Sequence, residues 1–265
     1  SAPNEVSGFI LESEVLQTQS NYEEAKAVLA KAEKFAPDDS ELLVALVRIN
    51  VRLQELPQAL ILAEKLLQKE PENIMGLAGF YTIKAAQNQP EVALTRIKDA
   101  FEKSDKNKDL ALLLARSALT SNDVKLSLQA LNTIENNRSA SNPYWTMKGT
   151  ALARDNQLIE AENHYATWAE LFPNQAAAVQ GHVLLLNDKR EYKKALTITT
   201  EFLSRNESDQ ISMLQASFYA KTNDVENAKK SYSKVNEKYS TLPFLRGVRA
   251  RIALLENKPG DAVDD

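Results

Sequence analysis

Small residues recur along this chain at a fixed spacing. Ala25, Ala59 and Ala93 follow one another at intervals of 34 residues. The register continues, with a single interval of 33, through Ser127, Ala161, Ala195, Ala228 and Ala262. A fixed period of this length is typical of repeat architectures, in which each repeat forms the same supersecondary unit.

Apolar residues between these small positions follow helical spacing. In the second period Leu42, Leu46 and Ile49 recur three or four residues apart, as on one face of a helix. Polar pairs such as Asn88-Gln89 precede the small residues and favour turns, and prolines such as Pro71 follow them and end a helix. Each period therefore predicts two helices, which cross closely at the small residue because a larger side chain would separate them.

The period predicts an all-α chain of about seven complete helical hairpins and a partial eighth. The expected repeats cover residues 6–39, 40–73, 74–107, 108–141, 142–175, 176–208, 209–242 and 243–265, as one array over 6–265. One hairpin cannot bury its apolar face alone, so neighbouring hairpins are expected to stack. Ser1-Ala2 is interpreted as the remnant of an expression tag, and the short last repeat as the sign of a longer parent protein.

A helix–turn–helix unit of 34 residues resembles the tetratricopeptide repeat. The similarity is clearest over 142–175, where the family's places hold Trp145, Gly149, Ala161, Tyr165 and Pro173. The same unit departs from the pattern at Lys148, Leu152 and Trp168. The resemblance extends over nearly the whole chain from about Val6, and it implies a right-handed α-solenoid that binds proteins and is not an enzyme.

Composition narrows the possible partners and compartments. The 265 residues carry a formal net charge of −4 and contain no cysteine, so nucleic acid is an unexpected partner and disulfides and thiolate chemistry are excluded. No apolar run is long enough to span a membrane, so direct membrane insertion is not expected. Repeat arrays of this composition look most similar to bacterial envelope and secretion-assembly proteins, which weakly favours the periplasm or envelope over the cytoplasm.

Motifs for catalysis, cofactors and metals are not found in the sequence. The two histidines, His164 and His182, are 18 residues apart and fit no metal-binding pattern, and we expect one to face solvent and the other to be partly packed. Gly76 and Gly79 lack the surroundings of a phosphate-binding loop and are expected to allow close helix packing. The aromatic residues of the fifth repeat, Trp145, Tyr165 and Trp168, are expected in the core.

The resemblance implies that an extended peptide or a partner helix binds in a concave groove formed by the first helix of each hairpin. Two known versions of such a groove are not matched. The positions of a carboxylate clamp hold Ile10, Glu14, Val44, Arg48, Ala78 and Thr82. The positions of an asparagine ladder hold Leu11, Ala45, Gly79, Leu113, Met147, Gly181, Leu214 and Val248.

Basic residues collect where the first helices should face this groove. Arg48 and Arg52 lie one helical turn apart, and cations recur in later repeats, which is unexpected in an acidic chain. Guanidinium groups suit carboxylates, so we expect the ligand to carry acidic side chains or a C-terminal carboxylate. The candidate groove residues are Arg48, Arg52, Thr82, Leu112, Arg116, Thr150, Arg154, Leu184, Met213, Lys221 and Arg251.

Three alternatives remain open at this stage. The arginines could pair with acidic residues across adjacent repeats and take no part in binding. The array could also be the repeat portion of a larger enzyme or export complex whose catalysis lies elsewhere. Binding of single-stranded RNA by a helical repeat is the third alternative, and it is disfavoured by the 34-residue register and by a pI of about 5.5.

Overall fold

The computed structural model describes residues 3–134 and 142–258. Every regular element within these residues is helical, and they contain no strand, which confirms the predicted all-α class. The chain divides into two compact units, Ser1–Glu135 (unit 1) and Asn136–Asp265 (unit 2). None of the described helices combines the length and the apolar character that crossing a membrane requires.

The described part of unit 1 consists of four helix pairs. Its helices are α1 (Pro3–Thr18), α2 (Tyr22–Glu33), α3 (Ser40–Arg52), α4 (Leu56–Lys69), α5 (Ile74–Ala86), α6 (Pro90–Lys103), α7 (Lys108–Thr120) and α8 (Val124–Asn132). Side chains that cap the N-termini of first helices include Asp39, which accepts from the backbone N–H of Leu42 in α3, and Asn73, which accepts from that of Gly76 in α5.

The described part of unit 2 consists of three helix pairs and one further helix. Its helices are α9 (Asn142–Arg154), α10 (Leu158–Leu171), α11 (Ala176–Asp188), α12 (Tyr192–Leu203), α13 (Asp209–Lys221), α14 (Val225–Tyr232) and α15 (Pro243–Leu255). The short α14 is followed by a 3₁₀ turn, Glu237–Tyr239. The array is thus built from hairpins, each with a first and a second helix.

The recurring small residue lies at the start of each second helix and is fully buried. This holds for Ala25, Ala59, Ala93 and Ser127 in unit 1 and for Ala161, Ala195 and Ala228 in unit 2. The remaining member of the series, Ala262, lies outside the described residues. The expected burial of these positions between helices is therefore confirmed for seven of them.

The corner of each hairpin contains one residue in the left-handed backbone region. These residues have φ between 57° and 64° and are Ser20, Gln54, Asn88, Asn122, Asn156, Arg190, Asn223 and Asn257. The next residue donates its backbone N–H to a carbonyl of the last turn of the first helix, as from Glu55 to Asn50 at 2.8 Å. This is the Schellman arrangement, which ends a helix and satisfies its last carbonyls.

Candidate binding surfaces

A pocket of about 470 Å³ opens between the first helices α9 and α11 of unit 2. It brings together three residues predicted for the groove, Thr150, Arg154 and Leu184. The other lining residues are Thr146, Ala153, Tyr165, Trp168, Ala177, Gln180, Gly181, Leu185 and Asp188. Arg154 and Asp188 are exposed and carry opposite charges, so the pocket combines an apolar interior with a charged pair at its solvent side.

Tyr165 of α10 forms one wall of this pocket by inserting between two glycines. A Cβ atom at Gly149 of α9 would lie 2.4 Å from the Tyr165 ring, and one at Gly181 of α11 would lie 2.3 Å from it. Burial raises the pKa of the Tyr165 phenol, while a side-chain hydrogen bond with Thr150 lowers it in part. The glycines are therefore needed for the ring to fit, and the ring shapes the pocket.

Aromatic rings stack behind the pocket and fill the core of the fifth repeat. Trp145 and Trp168 are buried with ring centroids 6.2 Å apart, and Tyr165 stacks on Trp168 at 6.4 Å. This confirms the prediction that the three residues are core. Stacked aromatic pairs add to the stabilisation that burial provides, so the wall of the pocket is rigid.

His164 packs on this aromatic core and does not face solvent. Its ring stacks on Trp145 at 4.8 Å, and its Nε2 lies 2.9 Å from the Trp145 carbonyl oxygen. Burial lowers the pKa of His164 to about 4, although the hydrogen bond to Trp145 raises it in part. His182 is also buried. The expectation of one solvent-facing histidine is therefore wrong, because both helix faces that carry them pack against neighbours.

His182 belongs to a polar edge of unit 2 that contains Glu162. The Glu162 carboxylate accepts from Lys189 at 2.7 Å and from Lys194. These two hydrogen bonds lower the pKa of Glu162 to about 2. Burial lowers the pKa of His182. Within the part of the chain that the structure describes, no group of three or more His, Cys, Asp or Glu side chains is placed to hold a metal ion.

Unit 1 has a second pocket, of about 430 Å³, on the corresponding face of α1, α3 and α5. Arg48, another predicted groove residue, lines this pocket and donates to Glu14 at 2.8 Å. The two residues occupy equivalent positions in adjacent repeats, 34 residues apart. Arg48 therefore has the neighbouring-repeat partner that the alternative interpretation of the arginines describes.

Three other predicted groove cations also contact the preceding repeat. Arg52 donates to the Tyr22 hydroxyl at 2.9 Å and lies 4.9 Å from the centroid of its ring. Lys221 donates to Asn187 and lies 5.3 Å from the Tyr192 ring centroid, and burial lowers its pKa. The Nε of Arg251 donates to the Ala220 carbonyl at 2.9 Å. These cations link repeats, a role that the sequence interpretation gave only to acidic partners.

The remaining predicted groove residues are not brought into either pocket. Thr82 donates its hydroxyl to the Ala78 carbonyl of its own helix. Leu112 and Met213 are half-buried, and Arg116 is exposed. No interaction among the described residues ties these four positions together, so their place in a groove remains a prediction.

Several residues of the unit 2 pocket were missed by the sequence interpretation. Ala153 and Ala177 line it without chemical groups that would single them out, and Gly181 was considered only as a ladder position. A signal was present in the pair Gly149 and Gly181, since two glycines on successive first helices allow one large ring between them. Such a pair predicts a close approach of helices but not the pocket beside it.

The chain was compared with known families and proteins. A profile described as tetratricopeptide repeat matches residues 11–74, and a comparison with curated protein sequences finds no match. A tetratricopeptide repeat protein from Parabacteroides merdae has a similar crystal structure, with a TM-score of 0.61 at 14% identity over 97% of this chain and 98% of that one.

Two further crystal structures share the fold. The C-terminal part of a repeat-containing protein from Cytophaga hutchinsonii has a TM-score of 0.57 at 14% identity, over 96% of this chain and 98% of that one. Yeast Tom70 has a TM-score of 0.62 at 18% identity, over 91% of this chain and 49% of that one. At these identities the similarity concerns the fold, and it confirms the predicted solenoid of tetratricopeptide-like hairpins.

Proposed function

We propose that this tetratricopeptide-repeat protein is a non-catalytic scaffold that binds an extended peptide segment of a partner protein through the first helices of its hairpins. The observation that carries the proposal is the unit 2 pocket, where Thr150, Arg154 and Leu184 meet. Its volume of about 470 Å³ falls in the range of ligand sites, which are roughly 300–1,000 Å³. The pocket is the part of the predicted groove with a defined shape.

The chemistry of the pocket indicates which peptide it accepts. Tyr165, Leu184 and Ala177 provide apolar surface for one aliphatic or aromatic side chain. Arg154, at the exposed edge, offers a guanidinium to a carboxylate on the next residue of the ligand. The preferred segment therefore has an apolar residue beside an acidic residue or beside a C-terminal carboxylate.

The cations that contact neighbouring repeats have a smaller part in this proposal. Arg48, Arg52, Lys221 and Arg251 already have partners within the protein, as described above. Recruiting them to a ligand would cost these contacts. Acid recognition is therefore assigned to Arg154, with Arg116 as a second exposed cation in unit 1, and the proposal excludes catalysis and nucleic-acid binding as functions of this array.

Selection from a library of random displayed peptides tests the proposal. The wild-type protein is expected to enrich sequences in which an apolar residue adjoins Asp, Glu or the C-terminus. Ala177→Trp fills the pocket from an exposed position and should abolish the enrichment, while Arg154→Glu should remove only the acidic preference. Ala166→Trp and Lys193→Glu, at exposed sites outside the pocket, are the matched controls.

Melting temperatures of all four variants are measured alongside the selection. Unchanged melting with lost enrichment supports the pocket as the binding site. If Ala177→Trp enriches the same peptides as the wild type, the pocket is not the site. If the wild type enriches no consensus, peptide recognition by this array is wrong.

A further inference from the structure

The helix α1 exposes a face that its counterparts in unit 1 bury. Val15 is 56% exposed, whereas the residues at the same repeat position, Ile49 of α3, Ile83 of α5 and Ser117 of α7, are buried. The three later helices cover this position by packing against the repeat before them. α1 thus presents the apolar side of a repeat-stacking interface to solvent.

Neighbouring positions on α1 extend this face. Leu11 is 63% exposed, while its counterparts Ala45 and Leu113 are buried. A Cβ atom at Gly8 would meet nothing within 4 Å, whereas one at its counterpart Gly76 would lie 2.9 Å from Leu66. Together Gly8, Leu11 and Val15 form a stripe along α1, here called the α1 face, on which another helix could approach closely.

The helix α15 of unit 2 has an uncovered apolar face of its own. Leu254 is 58% exposed although its counterpart in α13, Ala220, is buried, and Phe244 is 45% exposed. Gly247, between them along the helix, also has open space where a Cβ would be. Phe244, Gly247 and Leu254 are here called the α15 face. It matches the α1 face in having two large apolar residues and one glycine.

The two helices carry opposite charges. α1 contains Glu5, Glu12 and Glu14 and no basic residue. α15 contains three arginines, Arg246, Arg249 and Arg251, and no acidic residue. Two α1 faces packed together would bring like charges into contact, and so would two α15 faces. Contact between an α1 face and an α15 face brings opposite charges together, which favours that pairing over both self-pairings.

We propose that the protein self-associates head to tail, with the α15 face of one copy packed on the α1 face of a second copy. The glycines let the helices approach, the apolar residues are removed from water, and the charges set which helix meets which. A contact between two different surfaces is heterologous, so each copy retains one free face of each kind and the association continues beyond a dimer.

Sedimentation velocity on the full 265-residue protein tests this assignment. The wild-type protein is expected to form species larger than a dimer as its concentration rises to about 100 μM, a range in which weak protein contacts are populated. Raising the salt concentration should reduce the association, because exposed charges are screened. A wild-type protein that stays monomeric throughout overturns the proposal.

Two variants that each block one face separate the possible geometries. Leu11→Lys places a cation on the α1 face, and Leu254→Glu places an anion on the α15 face. Both positions are exposed, so folding should be preserved. Each variant alone is expected to weaken association at least about tenfold in Kd, and an equimolar mixture is expected to form a one-to-one dimer through the two unaltered faces.

The matched controls are Ile61→Lys and Ile159→Glu, at similarly exposed apolar positions on second helices. They should associate like the wild type. A symmetric α1-to-α1 dimer would be unaffected by Leu254→Glu, a symmetric α15-to-α15 dimer would be unaffected by Leu11→Lys, and neither would yield a mixed dimer from the two variants. Any of these results, or equal weakening by the controls, overturns the head-to-tail assignment.

Discussion

At the scale of single residues, Tyr165 shows how one side chain sets the distance between two helices. Its ring occupies the space that side chains would take at Gly149 and Gly181. The sequence identified Tyr165 and Gly149 as matches to a repeat pattern, and their burial follows from that pattern. The contact with Gly181 could not be predicted in the same way, because it depends on the ring's direction across a repeat boundary.

The substitution Gly181→Ala tests this packing. A Cβ at 2.3 Å from the buried Tyr165 ring must displace the ring or the helix, so the free energy of unfolding should fall by about 1–3 kcal/mol. Urea unfolding followed by circular dichroism measures the change. Gly8→Ala is the control in open space, and it should raise stability by up to about 1 kcal/mol because alanine favours helix; equal effects at both sites would show that the contact is misplaced.

Glu162 provides a prediction about pH. Its folded-state pKa of about 2 lies below the ordinary value of 4.5 because Lys189 and Lys194 donate to it. A lowered carboxyl pKa stabilises the folded state above about pH 5, and this stabilisation is lost as the pH falls towards 2. Glu162→Gln should therefore cost about 1 kcal/mol at pH 7 and progressively less in acid.

Melting temperatures of wild type and Glu162→Gln between pH 7 and pH 3 measure this convergence. Glu160→Gln, at an exposed position of the same helix, controls for the loss of one negative charge. A gap between wild type and Glu162→Gln that stays constant across the pH range would rule out the two lysines as the source of the stabilisation.

At the scale of the structural element, the hairpin corner was the part most readable from sequence. Polar pairs marked where each first helix ends, and asparagine was frequent there because it tolerates the left-handed region better than other non-glycine residues. The exact residue with positive φ follows only from the Schellman hydrogen bond, which sequence spacing does not display. Gln54 and Arg190 occupy the same conformation, with φ of 62° and 59°, without the benefit of an asparagine side chain.

Gln54→Asn should therefore raise the free energy of unfolding by about 0.5–1 kcal/mol, part of the cost of placing an ordinary L-residue in this region. Gln54 is exposed, so the change removes no core packing. Urea unfolding measures it, and the reverse change at an equivalent corner, Asn88→Gln, should lower stability by a similar amount. Opposite signs in the two experiments would mean that side-chain contacts and not backbone conformation decide these corners.

At the scale of the whole molecule, the sequence predicted hairpins from end to end and gave no sign of two compact units. The division falls after α8, whose nine residues make it the shortest helix of unit 1. The small-residue register passes from Ser127 to Ala161 without a change of period, so periodicity alone contains no boundary there. Of the candidate site, the sequence supplied Thr150, Arg154 and Leu184, while the pocket depends on packing in three dimensions.

The contacts between repeats also have a consequence for how such a chain diverges. Glu14 pairs with Arg48, and Asn187 with Lys221, each about one period away. Because dependence reaches only to the adjacent hairpin, unequal recombination can add or remove a whole hairpin in register while leaving distant ones undisturbed. Each copy then accumulates substitutions under constraints from its two neighbours alone. A shared architecture over 97% of the chain can thus persist in lineages that have kept only 14% of their residues in common.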